Sequence, residues 1–195
     1  SMFGEEYTLV AVADYVLSKR KGNTVSNMSS TRALRDITEK SGGEYFASAV
    51  GEVNVVNQMK AKNAVIGGEG NGGVIFPDLH YGRDSLIGIA LILSHMAQTG
   101  KSAKTLRVGY PQYHISKNKI ELTPEIDVDL ILEKMEEKYA NENVNTIDGV
   151  KIDFAKEWVH LRKSNTEPII RIYSESANEE KAEQLAQKII SEIDF

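Results

Sequence analysis

The chain has 195 residues, 41% of them hydrophobic, enough to bury a core, and its length fits either one large domain or two small ones. A formal net charge of −5 disfavours gripping a nucleic-acid backbone, so no nucleic-acid partner is expected. The absence of cysteine excludes disulfides, thiolate metal sites and a cysteine nucleophile, and it fits a reducing cytoplasm. No stretch approaches the roughly 20 apolar residues of a membrane-spanning helix, and no signal pattern opens the chain. A cytoplasmic location with no membrane partner is therefore expected. Ser1-Met2 reads as a cleavage scar before a helix that starts at Glu5, so the chain is expected to be a piece of something longer.

From Glu5 to Arg20, Leu9, Val10, Ala13, Val16 and Leu17 recur at helical spacing, and Gly22 follows as a stop. Thr24–Met28 predicts a strand; Ser29 and Ser30 are cap candidates for a helix through Leu34 and Ile37 that ends at Gly42-Gly43. Next come a strand over Tyr45–Val50, a helix over Val53–Lys62, a buried strand over Ala64–Ile66 and a strongly apolar helix over Leu86–Ala97. This alternation predicts a parallel, helix-covered sheet. After Gln98 the composition turns polar and the alternation stops, which suggests a linker. Beyond it the sequence predicts a strand near Tyr113–Ser116 and a helix over Asp127–Tyr139. Strands over Val150–Phe154, Trp158–Arg162 and Ile169–Ser176 follow, and then a last helix capped by Asn178. The expected architecture is α/β: a parallel-rich sheet covered by helices in residues 1–106, then a small α+β domain with an antiparallel sheet in residues 107–195.

Two segments carry recognition chemistry. In Trp158–Ser176, two strands flank a six-residue turn containing Ser164, Asn165 and Thr166, with Arg162 entering and Arg171 leaving. Exposed turn amides beside short polar side chains make an anion-binding nest, and a guanidinium fork matches a phosphate. If Arg162 pairs with Ile169, His160 faces Arg171 and all four share one face. The competing reading is a plain hairpin whose Ser and Asn serve the turn and whose arginines are solvated.

The second segment is GGEGNGG, Gly67–Gly73, where glycines around one carboxylate would leave Glu69 unscreened and let the backbone approach a ligand. A carboxylate accepts two hydroxyls at once, as a sugar diol presents them, and Asn71 adds an amide. A loose strand-to-helix connection with a solvated Glu69 is the alternative. Arg83-Asp84-Ser85 opens the apolar helix, where capping by Asp84 or Ser85 is preferred to a site contact by Arg83. His80, His95 and His114 are scattered without carboxylates at metal spacing, so no metal site is expected in the chain.

RKSNTEPIIR closely resembles the phosphate-binding loop RxSNTEPxxR of the α-D-phosphohexomutase family, which includes phosphoglucomutases, phosphomannomutases and phosphoglucosamine mutases. DGVKIDF and WVHLR are similar to the same family's final domain, GGEGNGG resembles its sugar loop GGExSGH, and Ser48–Gly51 resembles its TxVG segment. The resemblance covers only the third and fourth of the family's four domains, the fourth being TATA-box-binding-protein-like. It implies that Arg162, Ser164, Asn165 and Thr166 hold the phosphate that is not transferred, with Arg171 orienting the loop. Glu167 and Pro168 would shape the turn. Glu69, with Asn71 and Gly68, would contact the sugar. Asn71 replaces the usual Ser, and Gly73 stands where many members carry His.

The family's phosphoserine segment, similar to TASHNP, and its magnesium loop, similar to DGDxDR, are both absent from this sequence, so no catalytic residue is expected here. The resemblance implies an isomerase acting through a hexose 1,6-bisphosphate, with Mg²⁺ and the nucleophile on N-terminal domains of the same polypeptide. The chain alone would bind a phosphosugar and be inactive, with closure of the last domain hinged at the polar linker near Gly100. A non-enzymatic sugar-phosphate-binding module, or phosphoglucosamine mutase specificity, are the alternatives.

Overall fold

The computed structural model describes residues 2–123, 126–164 and 166–193, which form two compact units divided between Gln112 and Tyr113. In the first unit the order is α1 (Glu5–Lys19), β1 (Asn23–Asn27), α2 (Ala33–Lys40), β2 (Tyr45–Ser48), α3 (Glu52–Ala61), β3 (Ala64–Glu69), β4 (Gly73–Ile75), α4 (Ser85–Thr99) and α5 (Ala103–Gly109). The sheet runs β2-β1-β3-β4, with β1 parallel to both β2 and β3 and with β4 antiparallel to β3. Alternation along β1 assigns its two faces. Val25 packs with Val55 and Met59 of α3, while the Thr24 hydroxyl meets that of Thr38 on α2 at 2.7 Å from the other side. Helices therefore cover both faces, as a parallel sheet requires.

The expected linker after Gln98 is instead structured. Gly100 takes the left-handed conformation that ends α4, and Ser102 caps α5 by accepting from the Thr105 amide at 3.2 Å. Arg107 lies 3.3 Å from the centre of the Tyr7 ring and donates to the Phe3 carbonyl, and the Tyr110 hydroxyl donates to Asp14 at 3.2 Å. These contacts tie α5 to α1, so the chain divides beyond the expected 106/107 boundary. Leu106 is the one buried residue of α5, which leaves no apolar period for the sequence to display.

The second unit comprises β5 (His114–Glu121), α6 (Val128–Lys138), β6 (Asn143–Asn145), β7 (Val150–Asp153), β8 (Trp158–Lys163), β9 (Ile169–Ser176) and α7 (Glu179–Ser191). Its sheet is antiparallel throughout, in the order β5-β9-β8-β7-β6. One sheet face presents Ile152, Val159, Leu161, Ile170 and Ile172 to Ile131 and Met135 of α6 and to Leu185 and Ile189 of α7. Asp127 and Asn178 cap these helices, with their side chains accepting free first-turn amides. Burial of so many branched side chains stabilises the unit by roughly 1.5–3 kcal/mol each. The opposite sheet face is polar and holds Lys151, His160, Arg162, Arg171, Tyr173 and Glu175.

Candidate functional site

β1, β2 and β3 end at one sheet edge, on Asn27, Ser48 and Glu69. The carboxyl edge of parallel strands is where open α/β sheets place ligands. Glu69 is not the bare carboxylate its glycine surroundings suggest: it is 5% exposed. Its Oε1 accepts from the Asn27 amide at 3.0 Å and its Oε2 from Arg83 at 3.4 Å. Asn27 Oδ1 accepts from Ser30 Oγ at 2.9 Å, and Ser30 Oγ in turn accepts from the Gly70 amide at 2.9 Å. Ser30 thus bridges two loops, while the first amide of α2, that of Ala33, donates to Thr31 Oγ1 at 3.2 Å.

The glycines serve packing within the protein. GGEGNGG is a tight hairpin, with Gly68 paired to Val74 and Glu69 paired to Gly73, and not a loose connection. A Cβ on Gly68 would lie 1.9 Å from the Gly73 carbonyl oxygen, and one on Gly70 would lie 2.0 Å from the Glu6 carboxylate. Close approach of one backbone segment to another explains Gly68, and at Gly70 the Glu6 side chain occupies the space a Cβ would take. Asn71 closes the turn, its Oδ1 accepting from the Gly73 amide at 3.1 Å.

Arg83 joins this network to solvent. Its Nε donates to Glu52 Oε2 at 2.9 Å, its backbone amide donates to Glu52 Oε1 at 2.9 Å, and its Nη1 reaches Glu69. The hydrogen bond from the Arg83 amide, and then that from its side chain, hold the Glu52 carboxyl below the usual carboxylate range. Glu52, Asn71, Gly73, Arg83 and Asp84 line an open cleft of about 460 Å³, with Glu69 behind Arg83. Asp84 caps α4 as expected, accepting from the Leu86 and Ile87 amides at 2.8 and 3.1 Å. Glu52 and Asn27 have no signal in the sequence, since Glu52 and Arg83 are 31 positions apart.

In the second unit, Arg162 is registered directly opposite Arg171, and His160 opposite Tyr173. The expected Arg162–Ile169 pairing is two residues out of register. The turn is tighter than expected because the Ser164 amide donates to the Ile169 carbonyl at 3.0 Å. A slip of two leaves every side chain on its face, so Arg162, His160 and Arg171 still share one. His160 nevertheless points inward: it is 1% exposed and bonds the Asp148 carbonyl at 2.6 Å. Burial pushes its pKa down to about 3, so the ring is neutral and donates.

Arg171 is held by Glu167 at 2.7 Å, and it also reaches Ser164 Oγ and the Tyr173 hydroxyl at 3.5 and 3.4 Å. Thr166 donates its amide to Ser164 Oγ at 3.5 Å. Arg162 differs from Arg171. Its Nη1 donates to the Lys163 carbonyl at 3.3 Å, and its Nε is buried with no hydrogen-bond partner among the described residues. A buried donor without an acceptor is costly, and an anion at the turn would relieve it. Asn165 lies outside the described residues.

Residues 4–113 match the family description phosphoglucomutase/phosphomannomutase, alpha/beta/alpha domain III, and residues 120–192 match phosphoglucomutase/phosphomannomutase, C-terminal domain. The chain belongs to the phosphoglucomutase/phosphomannomutase family. It is 38% identical over 180 residues to a phosphoglucomutase/phosphomannomutase of Thermococcus kodakarensis, an alignment covering 91% of this chain and 39% of the relative. It is 35% identical over 167 residues to a phosphoglucosamine/phosphogalactosamine mutase of Sulfurisphaera tokodaii, covering 85% and 37%. A crystal structure of a phosphoglucomutase/phosphomannomutase family protein from Burkholderia thailandensis shares the fold with a TM-score of 0.80 at 23% identity, covering 98% of this chain and 41% of that one. The chain thus spans well under half the length of the family members it matches. Among the described residues no helix is long and apolar enough to cross a membrane.

Proposed function

We propose that this chain is the ligand-recognising half of a phosphohexomutase, which interconverts hexose 1-phosphates and hexose 6-phosphates through a hexose 1,6-bisphosphate. One observation carries the reading: on a hairpin bearing RKSNTEPIIR, two guanidiniums are registered face to face and one has a buried Nε with no acceptor among the described residues. In this reading Arg162, Ser164, Asn165 and Thr166 hold the phosphate that stays in place, and Arg171 positions the turn through Glu167. The edge formed by Glu69, Asn71 and the Gly68 backbone faces the sugar. Glu69 keeps lone pairs beyond those used by Asn27 and Arg83, so a hydroxyl can be added without breaking the network.

Phosphoryl transfer itself belongs to residues outside this chain. Mg²⁺ supplies charge neutralisation at such a transfer. Among the described residues no group of three or more His, Cys, Asp or Glu side chains is placed to hold a metal. The contribution of this chain is binding and orientation, which lower the barrier by fixing the reacting ends in place.

Titrating the chain with glucose 1-phosphate, mannose 1-phosphate and glucosamine 6-phosphate, followed by NMR, tests the reading. Binding should centre on Ser164–Arg171, and Arg162→Ala should weaken it about tenfold to a hundredfold. Absence of binding, or unchanged binding in the variant, overturns the proposal. A clear preference for the amino sugar would assign the specificity named in the Sulfurisphaera relative.

A further inference from the structure

The row of cations at the hairpin extends past the two arginines. On the far side of β9, Lys119 of β5 is registered opposite Arg171, which is itself opposite Arg162. Directly paired residues leave the sheet on one face with Cβ atoms about 4.5–5.5 Å apart. Arg162, Arg171 and Lys119 therefore stand side by side across three strands, level with the base of the turn.

Like charges placed directly opposite one another on a sheet destabilise it unless counter-charge is supplied. The protein supplies part of it. Arg171 has Glu167 at 2.7 Å, but Lys119 has Glu121 at only 3.4 Å, in a pair whose side chains are 59% and 80% exposed. Arg162 has no carboxylate within ion-pair distance among the described residues. Because the whole chain carries a net −5, this concentration of positive charge is a local feature and not a reflection of composition. Lys117 shares the face but stands one row further from the turn, with its Nζ 5.7 Å from the centre of the Tyr173 ring.

We infer that Lys119 is a third cation of the phosphate site, lying outside the RKSNTEPIIR segment. A phosphomonoester dianion presents three terminal oxygens. The turn donors and the Arg162 fork engage them from the hairpin side, and a flexible ammonium approaching from the edge strand reaches an oxygen that a fixed fork does not. Glu121 holds Lys119 weakly until the anion arrives, so binding exchanges an exposed pair for a contact inside the cationic row. This inference rests on the phosphate reading of the hairpin.

The test is a titration of the chain with inorganic phosphate, read from amide chemical shifts, for the wild type and for Arg162→Ala, Lys119→Ala, Lys119→Arg and Glu121→Gln. Lys119→Ala should weaken binding about threefold to tenfold, Lys119→Arg should restore most of it, and Glu121→Gln should tighten it by releasing the ammonium. Spectra of the unliganded variants report whether each is folded. Loss in Arg162→Ala with no change in Lys119→Ala overturns the role of Lys119 and leaves the hairpin reading standing. No binding by the wild type, or no loss in Arg162→Ala, overturns the hairpin reading and the Lys119 inference with it.

Discussion

The hairpin at the end of β3 and the hairpin between β8 and β9 both carry ionised side chains, yet they satisfy them in opposite ways. At the first, Glu69 is buried and its charge is met inside the protein by Asn27 and Arg83, with Glu52 completing the set. At the second, Arg162 and Arg171 confront each other and one guanidinium nitrogen is buried without an acceptor among the described residues. A network that closes on itself fixes geometry, whereas one left short of an anion is prepared for a ligand. Under the proposed function, the first holds a shape against a sugar and the second takes up charge.

The largest effect expected from this contrast is on acid stability, which should separate the two units. His160 has its pKa lowered from 6.5 to about 3 by burial, so the unfolded chain binds the proton and the folded one resists it. Stability contributed by the neutral ring is complete above pH 6.5 and is lost as pH falls toward 3, on the order of 3–5 kcal/mol in all. Acid titration monitored by hydrogen exchange should loosen the second unit first. His160→Gln should flatten that dependence, and an unaltered profile would refute the buried neutral ring.

Next in size is Glu69→Ala, which strips the partner from a buried amide and a guanidinium. It should lower stability by about 2–3 kcal/mol in chemical denaturation. Loss under about 0.5 kcal/mol would mean that the network does not hold the edge together. The smallest effect belongs to Arg162→Ala, which should leave stability within about 0.5 kcal/mol, because it also removes a like-charge opposition. A loss above about 1.5 kcal/mol would make Arg162 a structural residue and erase the contrast.

Much of this was legible in one dimension. Apolar period gave α1, α3, α4 and α7, and side-chain chemistry gave the Asn178 cap; RKSNTEPIIR and GGEGNGG marked both hairpins. Three elements escaped. β4 and β6 are three residues each, too short to show alternation, and α5 buries too little to show a helical face. The linker expected near Gly100 proved to be a helix end followed by α5.

By itself the sequence determined which residues carry charge and hydrogen-bonding capacity at the two hairpins, and where the longer helices and strands lie, because those depend on side-chain type and local period. Tertiary structure alone decided that Glu69 is buried and paired, that Arg83 joins it to Glu52, and that Lys119 stands in line with Arg171 and Arg162. Those partners lie 9 to 52 positions apart along the chain. Only sheet register and strand order bring them together, and neither leaves a periodic trace in the sequence.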